Sequence, residues 1–147
     1  MRSIPVRIGT TILDEIEKVY DDITQKASEL FLDRLNAGPL DIDDWLTVEK
    51  QVLWKPDVEI TERQSLFIVR TALDPIDAAS VEILVTPSDV LIQSRVKSRQ
   101  PRIFRAVHFG FPINPLQMHA TYVEGTLILI APKLSVRNND RRLRIVR

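Results

Sequence analysis

The sequence predicts a mainly β chain: an immunoglobulin-like antiparallel β-sandwich preceded by a helical pair. Three observations carry this. Up to about residue 55 the apolar side chains recur at helical spacing, and beyond Pro56 they alternate or run in short blocks of strand length. Seven such blocks follow, with turn residues between them. The last two meet at Glu124-Gly125, where glycine's tolerance of positive φ suits a tight hairpin.

The elements follow in order. Ser3, Ile4, Pro5, Val6, Arg7 and Ile8 form a short extended piece that Gly9 ends. Thr10 or Thr11 can cap a helix, with Asp14, Glu15 and Glu17 near its positive end. Ile12, Ile16, Val19, Ile23, Ala27, Leu30 and Phe31 give that helix one apolar face as far as about Leu35. Asn36, Ala37, Gly38 and Pro39 stop it. Asp41 can cap a second helix carrying Trp45, Leu46 and Val48. Strands are predicted over 58–62, 66–72, 81–85, 90–95, 103–109, 120–123 and 126–131. In the last of these Leu127, Leu129 and Ala131 share one face, and Ile128 and Ile130 share the other. Both faces are apolar, so both are expected to be covered. Domain organisation is therefore 1–55 as an N-terminal extension and helical pair, 56–133 as the sandwich, and 134–147 as a flexible C-terminal extension.

Composition narrows the function classes. The 147 residues include no cysteine, which removes disulfides and thiolate chemistry and fits a reducing, cytoplasmic setting. No apolar run is long enough to span a bilayer, and the N-terminus has no signal-peptide core, so no membrane partner is expected. Net charge is zero but uneven. Residues 1–62 carry 7 basic and 14 acidic side chains, and residues 63–147 carry 13 and 6. The acidic half can dock on the basic half. Arg95, Lys97, Arg99, Arg102 and Arg105, and later Arg137, Arg141, Arg142, Arg144 and Arg147, form basic groups with little aromatic interleaving, so nucleic acid is not an expected partner.

Catalytic readings find no support. Asp41, Asp43 and Asp44 resemble the start of a calcium loop, but Leu46 and Val52 stand where it needs glycine and glutamate. There is no phosphate-binding glycine loop. His108 and His119 lie in no metal-ligand spacing and beside no evident nucleophile. No enzyme activity, cofactor or metal is expected.

The strand pattern from about Val58 to Lys133 resembles the α-crystallin domain of small heat-shock proteins. Glu59, Ile60, Thr61 and Glu62 look like the domain entry. Leu73-Asp74-Pro75-Ile76 stands where the family has a leucine-proline-glycine turn. Residues 81–85 and 90–92 resemble its central strand pair, and Phe104-Arg105 followed by Phe109 its phenylalanine-arginine strand. Ala120, Gly125 and Leu127 match its most specific signature, and Pro132-Lys133 its end. The preceding segment, with Glu29, Arg34, Gly38, Asp43, Trp45 and Glu49, resembles a small helical domain of unknown function found before such sandwiches in some bacterial members. There are departures. Gly110 replaces a proline, Thr126 a valine and Ser94 a glycine. Only about ten residues separate Ile92 from Ile103, where typical bacterial members carry a longer segment whose extra strand swaps into the partner subunit. A shorter sandwich of this kind also resembles p23-like co-chaperone domains.

The resemblance implies ATP-independent holding of partly unfolded client proteins through apolar surface, and self-association into a homo-oligomer. It implies a groove between two sheet-edge strands that takes an isoleucine-x-isoleucine or valine motif. Val81, Ile83 and Val85 would line one wall, and Met118, His119 and Ala120 the other. Leu143 and Ile145 have the form of the docking motif, as do Ile4 and Val6, because residues i and i+2 of an extended segment face one way. Arg105 stands where the family often places an inter-subunit ion pair. The alternative function is a p23-like interaction scaffold that binds one folded partner and holds no clients.

Overall fold

The computed structural model describes residues 2–32, 42–73, 78–94 and 102–134. Among them the elements run β1 (Arg2–Ile4), β2 (Val6–Ile8), α1 (Leu13–Leu32), α2 (Ile42–Val52), β3 (Leu53–Trp54), β4 (Glu59–Glu62), β5 (Leu66–Ala72), β6 (Val81–Val85), β7 (Asp89–Ser94), β8 (Arg102–His108), β9 (His119–Val123) and β10 (Thr126–Pro132). They make two five-stranded sheets, ordered β1-β9-β10-β5-β4 and β2-β6-β7-β8-β3. All pairings are antiparallel except β2 with β6 and β3 with β8.

The seven predicted strands are β4 to β10, with ends that differ by no more than one residue. Turn chemistry explains the agreement. The β9–β10 hairpin closes through Glu124 at φ 49° and Gly125 at φ 80°, the two positive values a two-residue turn of this hand requires. Thr86 closes the β6–β7 turn, where its hydroxyl accepts from the Ser88 and Asp89 amides at 3.3 and 3.0 Å. Three short strands were not predicted as such: β1, β2 and β3. All three come from the first 55 residues, and β1, β2 and β3 each occupy a sheet edge.

Period-2 alternation splits the apolar side chains between two cores. Between the sheets lie Phe67, Val69, Ile83, Val85, Ile92, Ile103, Val107, Leu127 and Leu129, all sealed from solvent. Phe67 and Phe109 stack there with centroids 5.0 Å apart. The other face of the β6-β7-β8 sheet presents Leu84, Leu91 and Phe104 to Ile12, Val19, Ile23 and Val48 of the helical segment. Tyr20 meets Phe104 edge-on at 6.1 Å. The molecule is thus helix on sheet on sheet.

The helix start follows the predicted chemistry: the Thr11 hydroxyl accepts from the Leu13 amide at 3.0 Å. Lys55 ties the helices to the sandwich, donating to Tyr20 Oη and to Glu49 Oε2 at 3.2 Å each. Partial burial works against its charge, but these two bonds outweigh it and hold its pKa above the ordinary lysine value.

One expectation fails. The apolar faces of β10 are not both covered, because the helices lie over the other sheet. Leu127, Leu129 and Ala131 are fully buried, while Ile128 and Ile130 are only half-buried on the outer face, beside Leu66 and Ile68 of β5. No described element covers that face.

Candidate peptide groove

The groove was expected between β6 and β9, and each of these strands lies one in from the edge of its sheet, next to β2 and β1. On β6 Val81, Ile83 and Val85 share the face turned to the inter-sheet core and are 5% exposed or less. On the β9 side Met118 and Ala120 belong to the same buried cluster. His119 does not. It alternates with Ala120, so its side chain is exposed on the other face of the strand. Of the six residues expected to line a groove, five are part of the inter-sheet core and His119 is exposed.

The chain's own N-terminus pairs with both strands. β1 pairs antiparallel with β9, placing Ile4 opposite Ala120 and Ser3 opposite Thr121. After Pro5 the chain crosses to the other sheet, where β2 pairs parallel with β6 and Val6 lies beside Ile83. Pro5 suits the crossing because it has no amide to satisfy and its fixed φ keeps the chain extended. Ile4 and Val6 therefore enter from one segment, two residues apart. Ile4 is 3% exposed and sits in the inter-sheet core, and Val6 packs on that core half-buried. Burying an isoleucine stabilises by about 1.5–3 kcal/mol.

Two contacts fix the segment at its inner end. The Gly9 amide donates to the Val85 carbonyl at 2.9 Å. Arg7 Nη2 donates to Glu15 Oε1 of α1 at 3.0 Å. This bond holds the Glu15 carboxyl below its usual pKa, against the opposing pull of partial burial and with help from Lys18 and Gln93. Gly9 is also a position of close approach, since a Cβ there would stand 3.0 Å from Leu84 Cδ1.

No family model matches the sequence, and no curated protein is significantly similar to it. Solved structures are similar in fold. A small heat-shock protein from Xylella fastidiosa aligns with a TM-score of 0.51 at 20% identity, over 64% of this chain and 98% of its own. Heat shock protein 16.0 from Schizosaccharomyces pombe aligns with a TM-score of 0.52 at 12% identity, over 76% of this chain and 94% of its own. HSP18.5 from E. histolytica aligns with a TM-score of 0.51 at 16% identity, over 63% and 97%.

The fold is that of the small heat-shock proteins. Within the small heat-shock fold, β7 and β8 are direct antiparallel neighbours, with Gln93 opposite Phe104, and residues 95–101 join them. Arg105 lies on β8 opposite Ile92, half-buried, and its Nε has no hydrogen-bond partner among the described residues. Leu143 and Ile145 lie outside the described residues. Among the described residues no acidic, histidine or cysteine cluster could hold a metal, and no helix is long and apolar enough to cross a membrane.

The place of residues 2–8 was only half legible in the sequence. The Ile-Pro-Val spacing shows an extended segment with two aliphatics on one face. Nothing in that spacing says that the segment completes both sheets of its own chain.

Proposed function

We propose that this protein is an ATP-independent holding chaperone that binds partly unfolded chains through the outer face of the β1-β9-β10-β5-β4 sheet. The observation that carries the reading is the partly buried aliphatic row of Leu66, Ile68, Ile128 and Ile130, which no described element covers on a fold shared with heat-shock proteins. Unfolded clients expose apolar surface, and an uncovered sheet face offers area in return. Arg70 beside Ile128 and exposed His119 beside Ile130 interrupt that face with polar groups, which limits its own precipitation. Self-association into an oligomer, in the cytoplasm, completes the proposal, with Arg105 and the Leu143 and Ile145 motif as contacts between chains.

The competing reading is a p23-like scaffold for one folded partner, favoured by the short β7–β8 connection. Replacing Ile128 and Ile130 by lysine separates the two. Under the holding reading the variant keeps its fold and loses most protection of a heat-denatured model protein. Unchanged protection would remove this face from the proposal.

A further inference from the structure

We propose that His119 sets which segments the outer face of the β1-β9-β10-β5-β4 sheet holds. Uncharged, it admits aliphatic or aromatic segments whatever their flanks, and protonated, it favours those flanked by acidic residues over those flanked by basic ones. The selection rests on the client-holding face proposed above and adds to it a residue that discriminates among clients.

The register places the residue. Thr61, Ile68, Ile130 and His119 are successive cross-strand partners on β4, β5, β10 and β9. Directly opposed residues share one face of a sheet, with Cβ atoms about 4.5–5.5 Å apart. His119 therefore stands at the end of the row that carries Ile68 and Ile130. Its neighbour Ala120 lies in the inter-sheet core, so alternation turns the imidazole outward, and it is exposed. The adjacent row on the same face reads Glu59, Arg70, Ile128, Thr121 and Ser3.

Charge makes the position matter. Strand by strand, the residues of this face bring Glu59 from β4, Arg70 from β5 and His119 from β9, while β10 and β1 bring Ile128, Ile130 and Ser3, which do not titrate. Arg70 Nη1 pairs with Glu59 Oε1 at 3.4 Å, so these two fixed charges offset each other. Lys133 and Glu62, on the opposite phase, pair at 2.7 Å. Asp57, Arg63 and Glu124 lie beyond the ends of β4, β9 and β10 rather than among the aliphatics. No carboxylate stands in the row of His119.

Histidine is the side chain whose ordinary charge change falls between pH 5 and 8. Protonation of His119 thus adds one positive charge to a face whose other charges cancel. A segment lying along Ile68 and Ile130 passes beside that charge. Its acidic flanks gain an attraction and its basic flanks a repulsion, each worth about twofold at an exposed site. The second histidine is placed elsewhere: His108 belongs to β8 of the other sheet, with Nδ1 2.9 Å from Asp89 Oδ1.

The test uses the full chain and two labelled peptides, Asp-Asp-Leu-Phe-Phe-Leu-Asp-Asp and Lys-Lys-Leu-Phe-Phe-Leu-Lys-Lys, whose flanks keep their charge from pH 5.5 to 7.5. Fluorescence anisotropy at low salt gives both affinities at both pH values. The ratio of acidic to basic peptide affinity is expected to rise by at least about threefold on going to pH 5.5. His108→Gln should keep that rise, His119→Gln should abolish it, and His119→Lys should show the raised ratio at both pH values. A ratio that does not change with pH in the unaltered chain would overturn the proposal, as would a rise of the same size in His119→Gln. Binding of both peptides with a flat ratio contradicts the selection alone, whereas binding of neither contradicts the client-holding face with it.

Discussion

Ile4 lies opposite Ala120 in the β1–β9 register, and both are 3% exposed. An N-terminal residue thus belongs to the same core as the hairpin strand over a hundred positions away. Ile4→Ala is expected to lower unfolding stability by about 2–4 kcal/mol, through lost transfer energy and the cavity left behind. Val6→Ala, at a half-buried position, should cost less than half as much. Urea denaturation of the two variants checks the order. Equal, negligible losses would mean that the segment is not docked in solution.

The Arg7–Glu15 pair makes a pH prediction. Glu15 has a folded pKa below its ordinary 4.5. Its contribution is therefore fully present above that ordinary value and is lost as pH falls through the lower, folded value. Arg7 is largely exposed, so the pair is worth only a few tenths to about 1 kcal/mol. Arg7→Gln should destabilise by that amount at neutral pH, and the difference from the parent should vanish once Glu15 is protonated. Thermal melts across an acid series measure it.

Arg105 separates a structural from an intermolecular role. Its buried Nε lacks a partner among the described residues, so Arg105→Met should leave the isolated chain as stable as before or slightly more so. If Arg105 meets a carboxylate of another chain, the same substitution lowers the solution mass. Light scattering and denaturation on one sample give both numbers. An unchanged mass would assign Arg105 to its own chain.

Gly125 holds φ 80°, and its carbonyl accepts from the Leu73 amide at 2.8 Å. Gly125→Ala should cost about 1–2 kcal/mol, because a Cβ is strained in that region. A loss near zero would show that the hairpin turn relaxes to another type.

Much of this was readable from residue order, and the limits are instructive. β5 and β6 were placed to the residue because each is a β-branched and aliphatic run bounded by strong turn signals. Thr11 was one of two caps expected for α1. That Val81, Ile83 and Val85 share one buried face was readable from alternation along β6, where their phase is unambiguous. Alternation should also have excluded His119, which cannot share a face with Ala120. What no local pattern contains is which layer the helices choose. Ile128 and Ile130 look like core on hydropathy, and only the helices' choice of the Leu84, Leu91 and Phe104 face leaves them uncovered. Nor does a period-2 pattern show that Pro5 carries the chain from one sheet to the other, because three-residue strands are too short to display a period.

The most direct test of the central claim is light scattering from a heat-aggregating model protein, without ATP, in the presence of an equal mass of this chain. The account predicts strongly suppressed scattering, restored by the Ile128→Lys and Ile130→Lys substitutions. Aggregation that proceeds at the same rate and to the same extent with and without the unaltered protein would contradict it.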